Sequence, residues 1–474
     1  MDKKAMTSKL KSMEARTYTL APDLLWTKSG ALFDHVLSVS GGEIISVLPR
    51  SEFCTVYPEM AITDLPGRAI VPGFIDAHVH LGQAFGKAIT GGEPAQIWRR
   101  IWAPMEGSYD ADTVYVSAKW MFLEALRGGF TCVTNFAVMN SEKAAAIHRA
   151  ANDVGIRLVS CTGGALPVDG PNSPSANDIT AAIDKAIKRA HEHIELCAAE
   201  ALITPSLCVP AVQGAPGELM REISRLCADK NVLFQVHTNE HHVEVHWSVE
   251  KYGLRPLEYF AKFEAVGAHT LHHHCTLVTD REIELLRDTG SGVSYNPLAS
   301  AWKGDRVAPA LAFAARGIRF GIGTDSTRSD ALRLLESAET AQRMSQGMQL
   351  ADFSCGAAWT WIDAATRGSA DVSGLSKVTG ELRPGLRADF LILDRNQPEV
   401  LPSWDFEWEL VRLYNRDQIE AVVVDGRTVM EHRQPTGWDT AEFLRQQKER
   451  AMSAVQSAPI IRRHGPASEA KRDI

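Results

Sequence analysis

The sequence has 474 residues, 45% of them hydrophobic, and a formal net charge of −8. That length can bury a large core and build two or three domains, or one barrel with additions. The acidic balance and the lack of a basic stripe argue against nucleic acid or an anionic membrane as partner.

No apolar run is long enough to span a bilayer. The basic start "MDKKAMTSKLKSMEARTYTL" has no apolar segment behind it and is not a secretory signal. The eight cysteines are scattered with no CxxC pair, which predicts reduced core thiols in a cytoplasmic protein.

From about Thr17 to Arg68 the chain reads as short strands with turns ("HVLSVSGGEIISVLPR"). A strand follows at "AIVPGFIDAHVH". "DADTVYVSAKWMFLEALRGG" is a helix, with an Asp cap, apolar residues at helical spacing and a Gly-Gly stop. "FTCVTNF", "IRLVSCTGG", "ALITPSLCV", "VLFQVHTNE", "HTLHHHCTLV", "GVSYNPLAS" and "RFGIGTDS" then continue as strands. Helices such as "APGELMREISRLCADKN" and "TDREIELLRDTG" lie between them. Eight strands alternating with helices predict an α/β fold, a parallel sheet closed into a (β/α)8 barrel. From about Lys377 to Arg433 the pattern turns to β again: "RADFLILD" and "AVVVDGRTV" alternate, and Asp425-Gly426 signals a hairpin. The two β-rich ends are expected to pair into one small β-sandwich. Expected boundaries are 1–68 and 376–435 for that sandwich, 69–375 for the barrel, and 436–474 for a C-terminal amphipathic helix and a frayed tail.

Barrel enzymes carry their chemistry at the C-terminal ends of the strands. The first strand ends with His78 and His80, which alternation sends to the same side. The fifth ends with His237, with Glu240 three residues on. The sixth ends with His272, His273 and His274, and the eighth with Asp325. A lone buried histidine is more often a hydrogen-bonded core residue than a ligand. Here three strand ends supply His and a fourth supplies Asp. Such a convergence suits a divalent transition metal, with zinc the default. His241, His242 and His246 read as solvated or adjacent to the site, and His191 and His193 as surface.

The set "FIDAHVH", "HTNE", "HHC", "GTDS" and "LRPGLRADFLILD" resembles the amidohydrolase superfamily. The nearest branch is that of cytosine deaminase, the S-adenosylhomocysteine and 8-oxoguanine deaminases and the triazine hydrolases. The resemblance spans about Arg50 to Met430. It implies that His78, His80 and His237 bind the metal, and that Asp325 completes the site and accepts a proton from the attacking water. Glu240 would shuttle protons to the leaving group. His274 would orient or polarise the water or the tetrahedral centre; the family's His-Cys pattern favours it over His273, although the register of three histidines leaves both open. Binuclear members carry a modified Lys at the end of strand four. "ALITPSLCVPAVQG" has none, which implies one metal per chain: Zn2+, with Fe2+, Mn2+ or Co2+ as alternatives.

Substrate recognition is less legible. Gln83 resembles the Gln that follows the His pair in 8-oxoguanine deaminase-like sequences, but no Arg stands beside it. Arg328 and Asp330 replace the branch's usual Ser-Asn-Asp. Asn296 and Trp302 are expected to line the pocket. The expected function is hydrolytic deamination of an amino-substituted purine-, pyrimidine-, pterin- or triazine-like ring. The alternatives are cleavage of an exocyclic amide, urea or carbamate, and a non-catalytic metal-binding barrel. The expected partner is a small molecule, with a homo-oligomer suggested by kinship.

Overall fold

A computed structural model describes residues 16–93, 96–351 and 354–463. The N-terminal strands are β1 (Tyr18–Thr27), β2 (Gly30–Leu32), β3 (His35–Ser40), β4 (Glu43–Pro49) and β5 (Thr63–Pro72). β5 runs directly into β6 (Phe74–Val79), yet the two belong to different sheets. Gly73 is the switch between them: a Cβ there would lie 2.2 Å from the Thr131 hydroxyl oxygen, so only glycine fits without a shift. The barrel therefore begins at Phe74. Residues 69–72, expected in the barrel, pair instead with the N- and C-terminal strands.

The barrel strands after β6 are β7 (Phe130–Asn135), β8 (Arg157–Gly163), β9 (Ile203–Cys208), β10 (Leu233–Thr238), β11 (Thr270–His274), β12 (Gly292–Tyr295) and β13 (Phe320–Ile322). They form one eight-stranded sheet in sequential order, every neighbouring pair parallel. The sheet closes through a parallel bridge between Val79 and Asp325, where the Asp325 N–H donates to the His78 carbonyl at 2.8 Å. Asp76 pins this seam from inside: its carboxylate accepts from the Thr324 N–H (2.9 Å) and the His78 N–H (3.1 Å).

The helices follow their sequence signals. In Ala111–Arg127 the Asp110 carboxylate accepts from the Thr113 N–H at 2.8 Å, and the chain leaves the helix at Gly128. Helix Asp280–Thr289 opens with a capping box between Thr279 and Glu282. Beneath the histidines the barrel is plugged by Ile75, Cys132, Val159 and Leu271 packed on Ala370, Val372 and Leu375. Leu271 sits two residues before His273, on the same side of its strand, so this apolar layer is the floor of the site.

The C-terminal strands are β14 (Phe390–Asp394), β15 (Ile419–Val424), β16 (Arg427–Glu431) and β17 (Gln434–Pro435). β14 pairs with β5, joining both ends of the chain in one nine-stranded mixed sheet. The sheet bends over its own core: Ile44 of β4 and Val423 of β15 share a cluster with Leu37, Ile70 and Phe390. Its distant parts meet where the Ala388 N–H donates to the Gly42 carbonyl and the Gly426 N–H to the Ala388 carbonyl, both at 2.9 Å. The expected two-layered sandwich is thus made by a single folded sheet. Helix Thr440–Gln456 follows. The expected frayed tail lies outside the described residues, apart from its first few. Among the described residues no helix is long and apolar enough to cross a membrane.

Candidate metal centre and cavity

β6 delivers His78 and His80 with ring centroids 4.9 Å apart. β10 brings His237, whose ring lies 5.0 Å from His78 and 5.4 Å from His80. The His237 Nδ1–H donates to the Pro210 carbonyl at 2.9 Å, which leaves Nε2 as the free lone pair. Asp325 Oδ1 stands 3.5 Å from His80 Nε2 and 3.9 Å from His78 Nε2. Donor atoms around a tetrahedral ion with bonds of about 2.1 Å lie roughly 3.4 Å apart, so this spacing fits one small divalent cation. His78 adds a second sign: it is fully buried, and neither ring nitrogen has a hydrogen-bond partner. A polar ring buried in that way needs a ligand. Burial pushes the His80 imidazole down to about 4 and lowers His78 and His237 as well. All three are thereby kept neutral, as metal ligation requires. The backbone of Asp325 sits at φ +56°, a strained position of the kind that gathers at functional sites.

β11 resolves the three histidines. His272 faces outward and bonds Thr238 Oγ1 at 2.8 Å. His273 faces inward, stacked 3.8 Å from His78, and its Nε2 bonds Gln235 Oε1 at 3.0 Å. Strict alternation would turn His274 outward again. Its backbone takes φ +73° instead, which turns its ring toward the mouth. His274 Nε2 then lies 3.6 Å from Glu240 Oε1 and 3.9 Å from Asp325 Oδ2.

Asn296 fixes that imidazole. Its Oδ1 accepts from Ser294 Oγ at 2.8 Å, which turns Nδ2 to donate to His274 Nδ1 at 3.2 Å. The proton of neutral His274 is thereby on Nε2, the nitrogen facing Glu240. Burial lowers His274 to about 3.

Lys303, which closes no barrel strand, is the principal cation of the site. Its ammonium donates to Glu240 Oε1 at 2.5 Å and to Asp325 Oδ2 at 2.6 Å. Burial opposes its charge, but Asp325 and Glu240 outweigh burial and raise its pKa. The same pairing acts on the acids. Burial opposes their ionisation, while Lys303 and His274 act on both, joined at Glu240 by His241, and hold Glu240 and Asp325 well below the usual carboxylate range. His241 bridges Glu240 Oε1 at 3.1 Å and Asp305 Oδ2 at 2.8 Å. Burial lowers His241, yet these acids carry it up to about 10.

The carboxylate face opens into a cavity of about 430 Å³. Trp98, Trp102, Tyr109 and Phe136 supply apolar wall, and Gln83, Glu106 and Glu244 polar wall. Gln83 is buried and bonds both Ser326 Oγ and the Glu106 carboxyl. Burial pushes Glu106 up to about 7. Of the other residues expected at the substrate, Asn296 lies buried behind His274, away from the cavity wall. Trp302 is 51% exposed and lies off the wall. The reason is helical phase: Pro297–Lys303 is a helix, and its last residue, not the one before it, turns inward. Pro at its start and Gly304 at its end are a readable helix signature that could have found Lys303. Glu106 offered no comparable signal.

Histidines elsewhere divide. His191, His242 and His246 are exposed as expected. His193 is buried, against expectation. It forms a cluster with His148 and Cys197 beneath helix Ala176–Ala198. Its Nε2 donates to the Ser160 carbonyl at 3.0 Å, and His148 Nε2 bonds Ser160 Oγ at 2.8 Å. A histidine on the apolar face of a charged helix is core, whatever the charge around it.

The family model described as "Amidohydrolase family" matches residues 69–429. A 5-methylthioadenosine/S-adenosylhomocysteine deaminase of Desulforudis audaxviator is 27% identical over 435 residues, covering 90% of this chain and 97% of that protein. The crystal structure of a zinc-bound adenosine deaminase of Xanthomonas campestris superposes with a TM-score of 0.79 at 23% identity, covering 92% and 98% of the two chains. Atrazine chlorohydrolase of Arthrobacter aurescens, complexed with zinc, gives 0.79 at 20% identity over 92% and 100%.

Proposed function

The chain belongs to the amidohydrolase family, and from that premise we propose that it is a metal-dependent hydrolase of non-peptide C–N bonds that deaminates an amino-substituted heteroaromatic ring. The reading includes one divalent ion per chain, zinc by preference, held by His78, His80, His237 and Asp325. The observation that carries it is the arrangement of two proton-handling groups, Glu240 and His274, around the same Asp325 that faces His78 and His80. No Lys ends β9, which supports a single ion.

His78, His80, His237 and Asp325 would hold the divalent ion, which would supply Lewis acidity and lower the pKa of water toward neutrality. The chain's residues do the rest. Asp325 divides its carboxylate: Oδ1 faces the histidines, and Oδ2 faces Lys303 and His274, where it accepts a proton from the attacking water. Glu240, kept ionised, takes a proton and delivers it to the ring or to the departing nitrogen, which leaves poorly unless protonated. His274 presents its Nε2–H toward the charge that develops as the ring carbon becomes tetrahedral. The aromatic walls exclude water, and Gln83 and Glu106 offer polar contacts near Asp325, to which Ser326 links them. A cavity of about 430 Å³ takes a molecule of drug-like size. This supports a ring with a sizeable substituent, such as a nucleoside, in keeping with the name of the deaminase relative.

The test is a screen of adenosine-type nucleosides, free aminopurines, aminopyrimidines, pterins, triazines and aryl ureas with zinc-loaded protein. It is read by ammonia release and by mass. Deamination gives ammonia and exchanges an amino for a hydroxyl group. A larger amine released from an aryl urea or amide would replace this reading with exocyclic cleavage. Inertness on every compound, with zinc confirmed bound, would favour a non-catalytic barrel.

A further inference from the structure

Two donor sets share Asp325. His78, His80 and Asp325 bring one ligand atom each within 4.8 Å of one another, and so do Glu240, His274 and Asp325. The second set has two carboxylates and an imidazole that joins them once its Nε2 gives up its proton, and by charge it attracts a divalent cation more strongly than the first. Lys303 stands inside it, 2.5 Å from Glu240 Oε1 and 2.6 Å from Asp325 Oδ2. We propose that Lys303 is a built-in cation that occupies this second donor set and limits the site to one metal ion. The inference rests on the mononuclear reading above.

The geometry carries it in three steps. Two carboxylates gathered on one ammonium repel each other and need a positive charge between them. The ammonium meets that need with N–H donors and brings no further Lewis acid. Its position is also fixed. Lys303 closes a helix that ends at Gly304 (φ +70°), and its side chain is only 16% exposed. A divalent ion cannot share that position with it, since both need the same two oxygens. Without the ammonium, Glu240, His274 and Asp325 remain as an open set, and His274 Nε2 has no hydrogen-bond partner there.

The experiment compares wild type, K303R and K303M. Each is saturated with Zn2+, dialysed and analysed for metal per chain. Each is also titrated in the metal-free form with Co2+, followed by visible absorption. Wild type and K303R are expected to take one ion in a single phase. K303M is expected to take a second ion in a second phase, which the double variant K303M/E240Q loses while it keeps the first. One ion and one phase in K303M would overturn the inference and leave the metal reading standing. Two ions in wild type would overturn it as well. No ion in wild type would overturn the metal reading and the inference with it. K303Q gives the same comparison if circular dichroism shows K303M unfolded.

Discussion

Glu240 is contacted by Lys303, His241 and His274 and is not among the residues assigned to the metal. Its removal should therefore separate chemistry from metal binding. Glu240→Gln keeps the shape and loses the proton site, and turnover is expected to fall roughly 10²–10⁴-fold with metal content unchanged. Near-normal turnover with intact zinc would take Glu240 out of the proton path. Asn296 makes a second test at this scale. It is not on the cavity wall, and its side-chain hydrogen bonds run to the His274 ring and Ser294. Asn296→Ala should lower kcat and leave KM and metal content close to wild type, because the His274 tautomer is no longer fixed. A raised KM with kcat unchanged would mean that Asn296 acts on substrate. The convergence of His78, His80, His237 and Asp325 was legible because a strand end converts sequence position directly into direction. Lys303 was not legible in the same way. It lies on a helix, where a shift of one residue turns a side chain by about 100°, enough to exchange its place with that of Trp302.

Elements decide which of these residues can meet. The run from Ala69 to His80 reads as one strand, yet it serves two sheets. Nothing in its periodicity marks the change. The marker is Gly73, and its reason lies 58 residues away in Thr131, beyond the reach of local pattern. β11 shows a related limit: three consecutive histidines give no register, and the left-handed turn at His274 puts two adjacent rings on one side. Gly73→Val should crowd Thr131 and cost about 1–3 kcal/mol, measured as a lower denaturant midpoint. Thr131→Ala in the same chain should recover part of that loss, since the nearest clashing atoms are its hydroxyl and methyl. Strict additivity of the two substitutions would mean that the sheet switch tolerates a side chain and that Gly73 matters for another reason.

At the scale of the whole molecule, the mixed sheet must be held rigidly on the barrel, because β6, which carries His78 and leads to His80, begins where β5 ends. Both β-rich ends were legible as strands. Their joining through β5 and β14 was not, since that pairing links residues more than 300 positions apart. One buried residue fastens the joint. The Asp389 carbonyl accepts from the Gly73 N–H at 3.0 Å. Its carboxylate grips Arg157, at the foot of β8, at 2.8 and 3.1 Å, and accepts from the Asp425 N–H at 2.7 Å. Burial opposes the Asp389 charge, but Arg157 outweighs it and holds the carboxyl below its ordinary value. A depressed acid stabilises the fold above its unfolded pKa, near 3.9, and loses that contribution as pH falls through the folded value. Wild-type stability should therefore drop below about pH 4, and Asp389→Asn should lack that component of the drop. At neutral pH, Asp389→Asn leaves Arg157 buried with only the more distant Asp425 carboxylate, at 3.9 Å, as counter-charge, which should cost up to about 3–5 kcal/mol, read from denaturant midpoints. An apolar pair, Arg157→Met with Asp389→Leu, separates two accounts of the joint. If the cost comes from the stranded charge, the double variant recovers most of the stability. If it comes from the lost tie to Asp425, the double variant stays as weak as the single one.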